Sequence, residues 1–132
     1  MKKKSIWIVD DDSIYKFVIQ KLISKIDLFE NVRTFSNGEE ATIALKKDWN
    51  LVKELPDIIL LDIEMPIMDG WGFISEIDTL LPKINEKNIK IFISSSSIAN
   101  EDKEKADRNP HIEGYYTKPI TLEGLIEIGS GS

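Results

Sequence analysis

Short apolar runs alternate with longer amphipathic stretches along the whole chain. Ser5 to Val9 is a compact apolar run, after which Ile14, Phe17, Val18, Leu22 and Ile26 recur at helical spacing with Lys21 and Lys25 at the edge of the stripe. Val32 to Phe35 predicts a second strand, ended by Ser36-Asn37-Gly38. Ala41, Ala44, Leu45, Leu51, Val52 and Leu55 form the stripe of a second helix, which Asp48-Trp49-Asn50 is expected to break locally. Ile58 to Leu61 stands between Pro56 and Pro66, too short for a globular helix. It reads as a strand buried on both faces, the kind that belongs to a parallel sheet covered by helices. Phe73, Ile74, Ile77, Leu80 and Leu81 predict a third helix up to Pro82, followed by a polar connection over 83–88. Ile89, Ile91 and Ile93 then alternate with Lys90, Phe92 and Ser94 as a fourth strand that Ser95-Ser96-Ser97 ends. Asn100-Glu101-Asp102 opens a short, highly charged helix, Ile112 to Thr117 is a fifth strand, and Thr121 caps a last helix bearing Leu122, Leu125, Ile126 and Ile128.

Local signals at the element ends agree. Ser13 is the expected N-cap of the first helix, with Asp11 and Asp12 where the helix dipole favours negative charge. Glu39 and Glu40 open the second helix and lysines follow later, the order the dipole prefers. Five strand-then-helix units without a hairpin signal predict an α/β fold, a three-layer α/β/α sandwich around a parallel five-stranded sheet. Right-handed crossovers leave few topologies, and strand order 2-1-3-4-5 is the expected one. No repeat or linker precedes residue 129. Residues 1–128 are therefore read as one domain, and Gly129-Ser130-Gly131-Ser132 as a linker or tail.

Composition narrows the chemistry. The 132-residue chain has no cysteine, which removes disulfides and thiolate metal sites, and its lone His111 cannot build a histidine-based one. Met1 to Lys4 looks like the start of a signal peptide, but the apolar run after it is too short, and no window reaches membrane-spanning length. A cytoplasmic protein without membrane contact is expected. The net charge is −6 and Arg33 and Arg108 are the only arginines, so no basic face is available to follow nucleic acid directly. Any phosphate chemistry must rest on a few placed lysines or on a metal ion.

In a parallel sheet all carboxyl ends share one edge, and the ligand crevice lies beyond it. The residues there are Asp10, Asp11 and Asp12 after strand 1, Asp62 after strand 3, Ser95 after strand 4 and Lys118 after strand 5. Each has an ordinary reading alone: the aspartates as helix-entry or turn residues, Ser95 as part of a serine loop, Lys118-Pro119 as a turn. Together they supply acids from two strands, a hydroxyl and a cation to one crevice. Strands 1 and 3 are neighbours about 5 Å apart, which crowds Asp11 against Asp62. Crowded carboxylates bind a proton or recruit a hard cation, for which Mg2+ is the expected choice, or Mn2+ in its place. In-line phosphoryl transfer needs this set: a carboxylate nucleophile, a metal and a cation to neutralise charge, and a hydroxyl to orient.

The chain resembles the receiver domain of two-component response regulators, the CheY-like, flavodoxin-like family, from Ile6 to about Ile128. Ile8-Val9-Asp10-Asp11 is similar to the family's acidic pair, Leu61 to Gly70 to its phosphoacceptor loop, and Tyr115-Tyr116-Thr117-Lys118-Pro119 to its terminal switch segment. The resemblance implies that Asp62 is the phosphoacceptor, taking a phosphoryl group from a phosphohistidine of a sensor histidine kinase or a phosphotransfer protein. It implies that Asp11, Asp62 and the backbone carbonyl of Glu64 hold Mg2+ with Asp10 in support, and that Lys118 contacts the phosphoryl group. Ser95 takes the place of the switch hydroxyl, or Ser94 if the register slips by one, and Tyr115 that of the aromatic switch residue. The family's Lys-Pro bond is usually cis. The implied outcome is a remodelled face of helix 4, strand 5 and helix 5 for an unknown downstream protein, by a monomer or a weak phosphorylation-dependent dimer, with no external substrate turned over.

Two departures stand out. The hydroxyl is a serine where the family more often has threonine, and the interval from the acidic pair to Asp62 is long, with the extra residues placed around Asp48 to Glu54. Glu64, just beyond the acceptor, would tune loss of the phosphoryl group in either direction. With no effector domain in the chain, a stand-alone receiver and a piece of a longer protein are both open. The rival readings are a phosphohydrolase of the haloacid dehalogenase-like kind, which expects Asp where Glu64 stands, and a binding module that keeps the fold without the chemistry.

Overall fold

The computed structural model describes residues 3–48, 55–79, 88–96 and 100–131. Its elements alternate: β1 (Lys4–Val9), α1 (Ser13–Ile23), β2 (Phe29–Phe35), α2 (Gly38–Lys47), β3 (Ile58–Leu61), α3 (Gly70–Asp78), β4 (Lys90–Ser95), α4 (Asn100–Arg108), β5 (Ile112–Thr117) and α5 (Leu122–Ser130). All ladders are parallel, and the five strands lie in the order β2-β1-β3-β4-β5, as the alternation of elements predicts.

β3 is the middle of the sheet because its sequence allows nothing else. Ile58, Ile59, Leu60 and Leu61 are all 1% exposed or less, so each needs an apolar layer on its own side. Period-two alternation sorts the strands into two cores. Trp7, Val9, Ile59, Leu61, Ile91 and Ile93 face Ala41 and Leu45 of α2 and Phe73, Ile74 and Ile77 of α3. Ile6, Ile8, Ile58 and Leu60 face Ile19 and Ile23 of α1 and Leu125 and Ile128 of α5. α4 is far more polar, with Ala106 its buried residue, and it rests on β5.

The structure departs from the sequence reading in four places. β2 begins at Phe29, three residues before the predicted start. The register slips between Ser5 and Ile6, and Asn31 has φ 52, so polar Glu30-Asn31 forms a bulge that hides the strand from a hydropathy pattern. α1 is capped by Asp12, not Ser13: the Asp12 carboxylate accepts from the amides of Ile14 and Tyr15 at 3.0 and 3.1 Å. α1 also buries Lys16, Ile19 and Ile23, while Ile14, Phe17 and Val18, read as part of its apolar stripe, are exposed. Finally, α5 continues past Ile128 to Ser130. Gly129 is buried there, and a Cβ on it would come within 2.7 Å of Phe29, so helix and strand meet at a glycine that a linker reading overlooks. The expected break at Trp49 and Asn50, the apolar positions Leu51, Val52, Leu80 and Leu81, and Ser97 lie outside the described residues.

The cap makes a discriminating prediction. Asp12→Ala removes the oxygen that accepts from two amides and is expected to cost about 1 kcal/mol, whereas Ser13→Ala should stay within about 0.5 kcal/mol of the native chain in urea unfolding.

Candidate functional site

The sheet register builds the crevice. Val9 pairs with Leu61 in the last rung between β1 and β3, so Asp10 and Asp62 are the next residues of two adjacent strands. Their amides continue the ladder, Asp62 N–H donating to the Val9 carbonyl at 2.9 Å and Asp10 N–H to the Phe35 carbonyl at 3.0 Å. Both side chains are buried, and Asp11 beside them is exposed. One carboxylate oxygen from each of Asp10, Asp11 and Asp62 lies within 4.8 Å of the others. Lys118 enters from β5, its amide donating to the Ser95 carbonyl at 2.9 Å as the strand ends. Its ammonium reaches Asp10 Oδ2 at 2.7 Å and Asp62 Oδ2 at 3.6 Å. The Lys118–Pro119 peptide is cis.

Charge in this space is unbalanced. Burial, and then the neighbouring Asp10, push the Asp62 carboxyl up to about 6 against the pull of Lys118. For Lys118, burial works against the ammonium, but the hydrogen bond and charge of Asp10 outweigh it and the net shift is upward. Asp10 is engaged on both oxygens, Oδ1 accepting from the Asp12 amide at 2.9 Å and Oδ2 from Lys118. Three carboxylates facing one ammonium, with oxygen as the donor atom throughout, match a hard divalent cation of the Mg2+ type.

The loop behind Asp62 is braced on three sides. Gly70 donates to the Ile63 carbonyl at 2.8 Å, and a Cβ on Gly70 would sit 2.5 Å from the Asp62 carbonyl, so glycine lets α3 start directly behind the acid. Gly38 of α2 donates to the Met68 carbonyl at 2.9 Å. Between them Ile67 holds φ 69 in a three-residue turn closed by Met68 N–H on the Pro66 carbonyl at 2.7 Å. A β-branched residue in that region is strained, and Ile67 keeps its side chain exposed. The Glu64 side chain is exposed.

Ser94 and Ser95 are both 1% exposed and point to opposite faces. Ser95 continues the row of Ile91 and Ile93, the side on which Tyr115 packs. Ser94 faces α1, its Oγ lying 2.8 Å from the Tyr15 hydroxyl. That hydroxyl also accepts the Ile120 amide at 3.1 Å, and the Tyr15 ring lies 4.5 Å from the Lys118 ammonium. Sequence reasoning passed over Tyr15. Its position four residues after Asp11, one turn into α1, was the available signal.

An open parallel sheet with an acid-and-lysine crevice at its carboxyl edge defines the class of α/β phosphoacceptor domains. The chain belongs to the response regulator receiver domain family, whose model matches residues 6–129. It is 33% identical over 84 residues to the DNA-binding transcriptional regulator NtrC of Salmonella typhimurium, an alignment covering 64% of this chain and 16% of that protein. A two component response regulator from Cytophaga hutchinsonii superposes with a TM-score of 0.87 at 26% identity, covering 96% of this chain and 95% of that one. A response regulator receiver protein from Dyadobacter fermentans gives 0.78 at 31% identity, with 97% and 98% covered. No helix among the described residues is long and apolar enough to cross a membrane.

The Asp62 shift has a sign that stability measurements can read. Its carboxyl titrates near 6 in the fold and near 3.8 as the reference value. Ionised Asp62 therefore destabilises the fold fully above about pH 6, and the cost fades as pH falls from 6 toward 4. Asp62→Asn is expected to melt several degrees above the native chain at about pH 8 and level with it at about pH 4, in thermal scans without divalent ions.

Proposed function

We propose that the chain is a phosphorylation-dependent signalling switch in which Asp62 accepts a phosphoryl group from the phosphohistidine of a sensor histidine kinase or phosphotransfer protein. The observation that carries this is a buried carboxylate set between Asp10 and Lys118, titrating near 6 and so ionised at neutral pH while still destabilised as an anion. A carboxylate destabilised in this way is the stronger nucleophile toward phosphorus. One Asp62 oxygen attacks in line, the phosphorus–nitrogen bond to the donor imidazole breaks with its electron pair staying on nitrogen, and an acyl phosphate forms. Lys118 neutralises charge on the transferring oxygens. Mg2+ or Mn2+, held by Asp11, Asp62 and the Glu64 backbone carbonyl with Asp10 in support, would supply further positive charge there.

Conversion of a carboxylate to an acyl phosphate adds negative charge at the end of β3, and a hydroxyl at the end of the neighbouring β4 is placed to answer it. Ser95 donates to a phosphoryl oxygen, and Tyr115, packed on the same side of the sheet, moves into the space Ser95 leaves. The consequence is a changed face over α4, β5 and α5 for a downstream protein. The shared face of Ser95 and Tyr115 supports this choice over Ser94, which points to the other side of the sheet, toward Tyr15. Residues 1–128 act as one phosphoacceptor unit, and no external substrate is turned over.

Incubation with Mg2+ and a small phosphodonor such as acetyl phosphate should raise the intact mass by one phosphoryl group. Asp62→Asn should abolish that gain; an unchanged gain in the variant removes Asp62 from the reaction. Ser95→Ala should reach the same mass while the nuclear magnetic resonance signals of Tyr115, which move on phosphorylation of the native chain, stay in place. Equal movement in both would take Ser95 out of the switch.

A further inference from the structure

We infer that Tyr15 is a positioning residue for the phosphoryl-transfer site, fixing the Lys118 ammonium with its ring and the segment after Lys118 with its hydroxyl. The inference rests on the reading above that Lys118 serves the phosphoryl group.

A lysine side chain has four rotatable carbons and no preferred direction of its own, so its aim must come from its surroundings. Lys118 has a carboxylate on one side, Asp10 at 2.7 Å, and an aromatic face on another, Tyr15 at 4.5 Å from ring centroid to nitrogen. The ring attracts the cation and occupies the volume into which the lysine would otherwise swing toward α1. This leaves the direction of Asp62, 3.6 Å away, for the ammonium.

The hydroxyl at the far end of the same ring does a second job. Ile120 is buried and precedes α5, which starts at Leu122, so its N–H has no helical carbonyl to reach. The Tyr15 oxygen accepts that N–H at 3.1 Å and bonds Ser94 Oγ at 2.8 Å. One side chain from α1 thus joins the end of β4 to the segment two residues beyond Lys118. A hydroxyl that already accepts from a buried amide is costly to remove, because the amide is then left unpaired. Neither contact touches the acidic cluster, so Tyr15 acts on the lysine side of the crevice alone.

The two parts separate by substitution. Tyr15→Phe keeps the ring and loses the hydroxyl; Tyr15→Leu loses both. In the unphosphorylated protein, the Lys118 ε-methylene proton signals should lie upfield from the ring current in the native chain and in Tyr15→Phe, and return to ordinary positions in Tyr15→Leu. With acetyl phosphate, the phosphorylation rate constant should fall about tenfold in Tyr15→Leu, the scale of one lost cation–π contact, and about threefold in Tyr15→Phe, the scale of one lost hydrogen bond. Mg2+ affinity by titration calorimetry should not fall in either, since the acids stay in place and a less firmly held Lys118 ammonium competes less with the ion. Native Lys118 signals and a native rate in Tyr15→Leu overturn the inference. So does a loss of Mg2+ affinity as large as the loss of rate, which marks a general collapse of the crevice. If the native chain itself gains no phosphoryl group, the proposed function fails, while the proton signals still decide whether Tyr15 holds Lys118.

Discussion

Like charges at the ends of neighbouring strands are the constraint from which the molecule is best understood. Asp10, Asp11 and Asp62 bring oxygens within 4.8 Å of one another, a repulsion on the order of 3 kcal/mol per ionised pair at an effective dielectric near 20. Two of the three are buried, which adds a desolvation cost. No local interaction among these residues favours that arrangement. It persists because the strands carrying them are fixed by two apolar layers, and a single well-buried Ile or Leu contributes about 1.5–3 kcal/mol. β3 alone places four such side chains in the core. The sheet therefore sets the spacing, and the acids have to accept it.

What relieves the acids comes from loops, and each loop is held by something specific. Lys118 leaves β5 one rung after Ser95 pairs with Thr117, so its backbone is still registered to the sheet when its ammonium reaches Asp10. α3 begins as near to Asp62 as sterics permit, because Gly70 has no Cβ to meet the Asp62 carbonyl. The turn between them carries its strain at Ile67 and is tied to α2 through Gly38 and Met68. Strain of that kind, on the order of 1–3 kcal/mol, is kept where surrounding contacts over-determine the backbone. Stability is spent at this edge and regained in the layers beneath it.

This division explains which parts of the molecule are legible in the sequence. Strand order and the convergence of Asp10, Asp11, Asp62 and Lys118 follow from a short apolar run ending in a charged residue, repeated in a parallel topology, and both are found as read. The inner face of α1 is not legible. Ile14, Phe17 and Val18 form one apolar stripe and Ile19 and Ile23 another, and periodicity gives spacing without saying which stripe faces inward. The start of β2 is masked by its bulge, and Gly129 by a glycine-serine run that resembles a linker. The links from Tyr15 to Ser94 and Ile120 span 79 and 105 residues, and no local pattern carries separations of that size.

Adjacent residues of one strand must point to opposite faces, and at the end of β4 both happen to be serines. Ser94 goes to the α1 side, where it is tied to Tyr15 and through it to Ile120. Ser95 goes to the side where Tyr115 packs among the residues facing α2 and α3. If Ser94 turned toward a new charge, the Tyr15 phenol would lose its Ser94 partner. A hydroxyl that lies beside an aromatic of the neighbouring strand has a route by which its movement is passed on. The two-residue period of a β-strand is thus enough to put the bridge to Tyr15, the proposed support of the lysine, on one face of the crevice and the proposed switch pair, Ser95 and Tyr115, on the other.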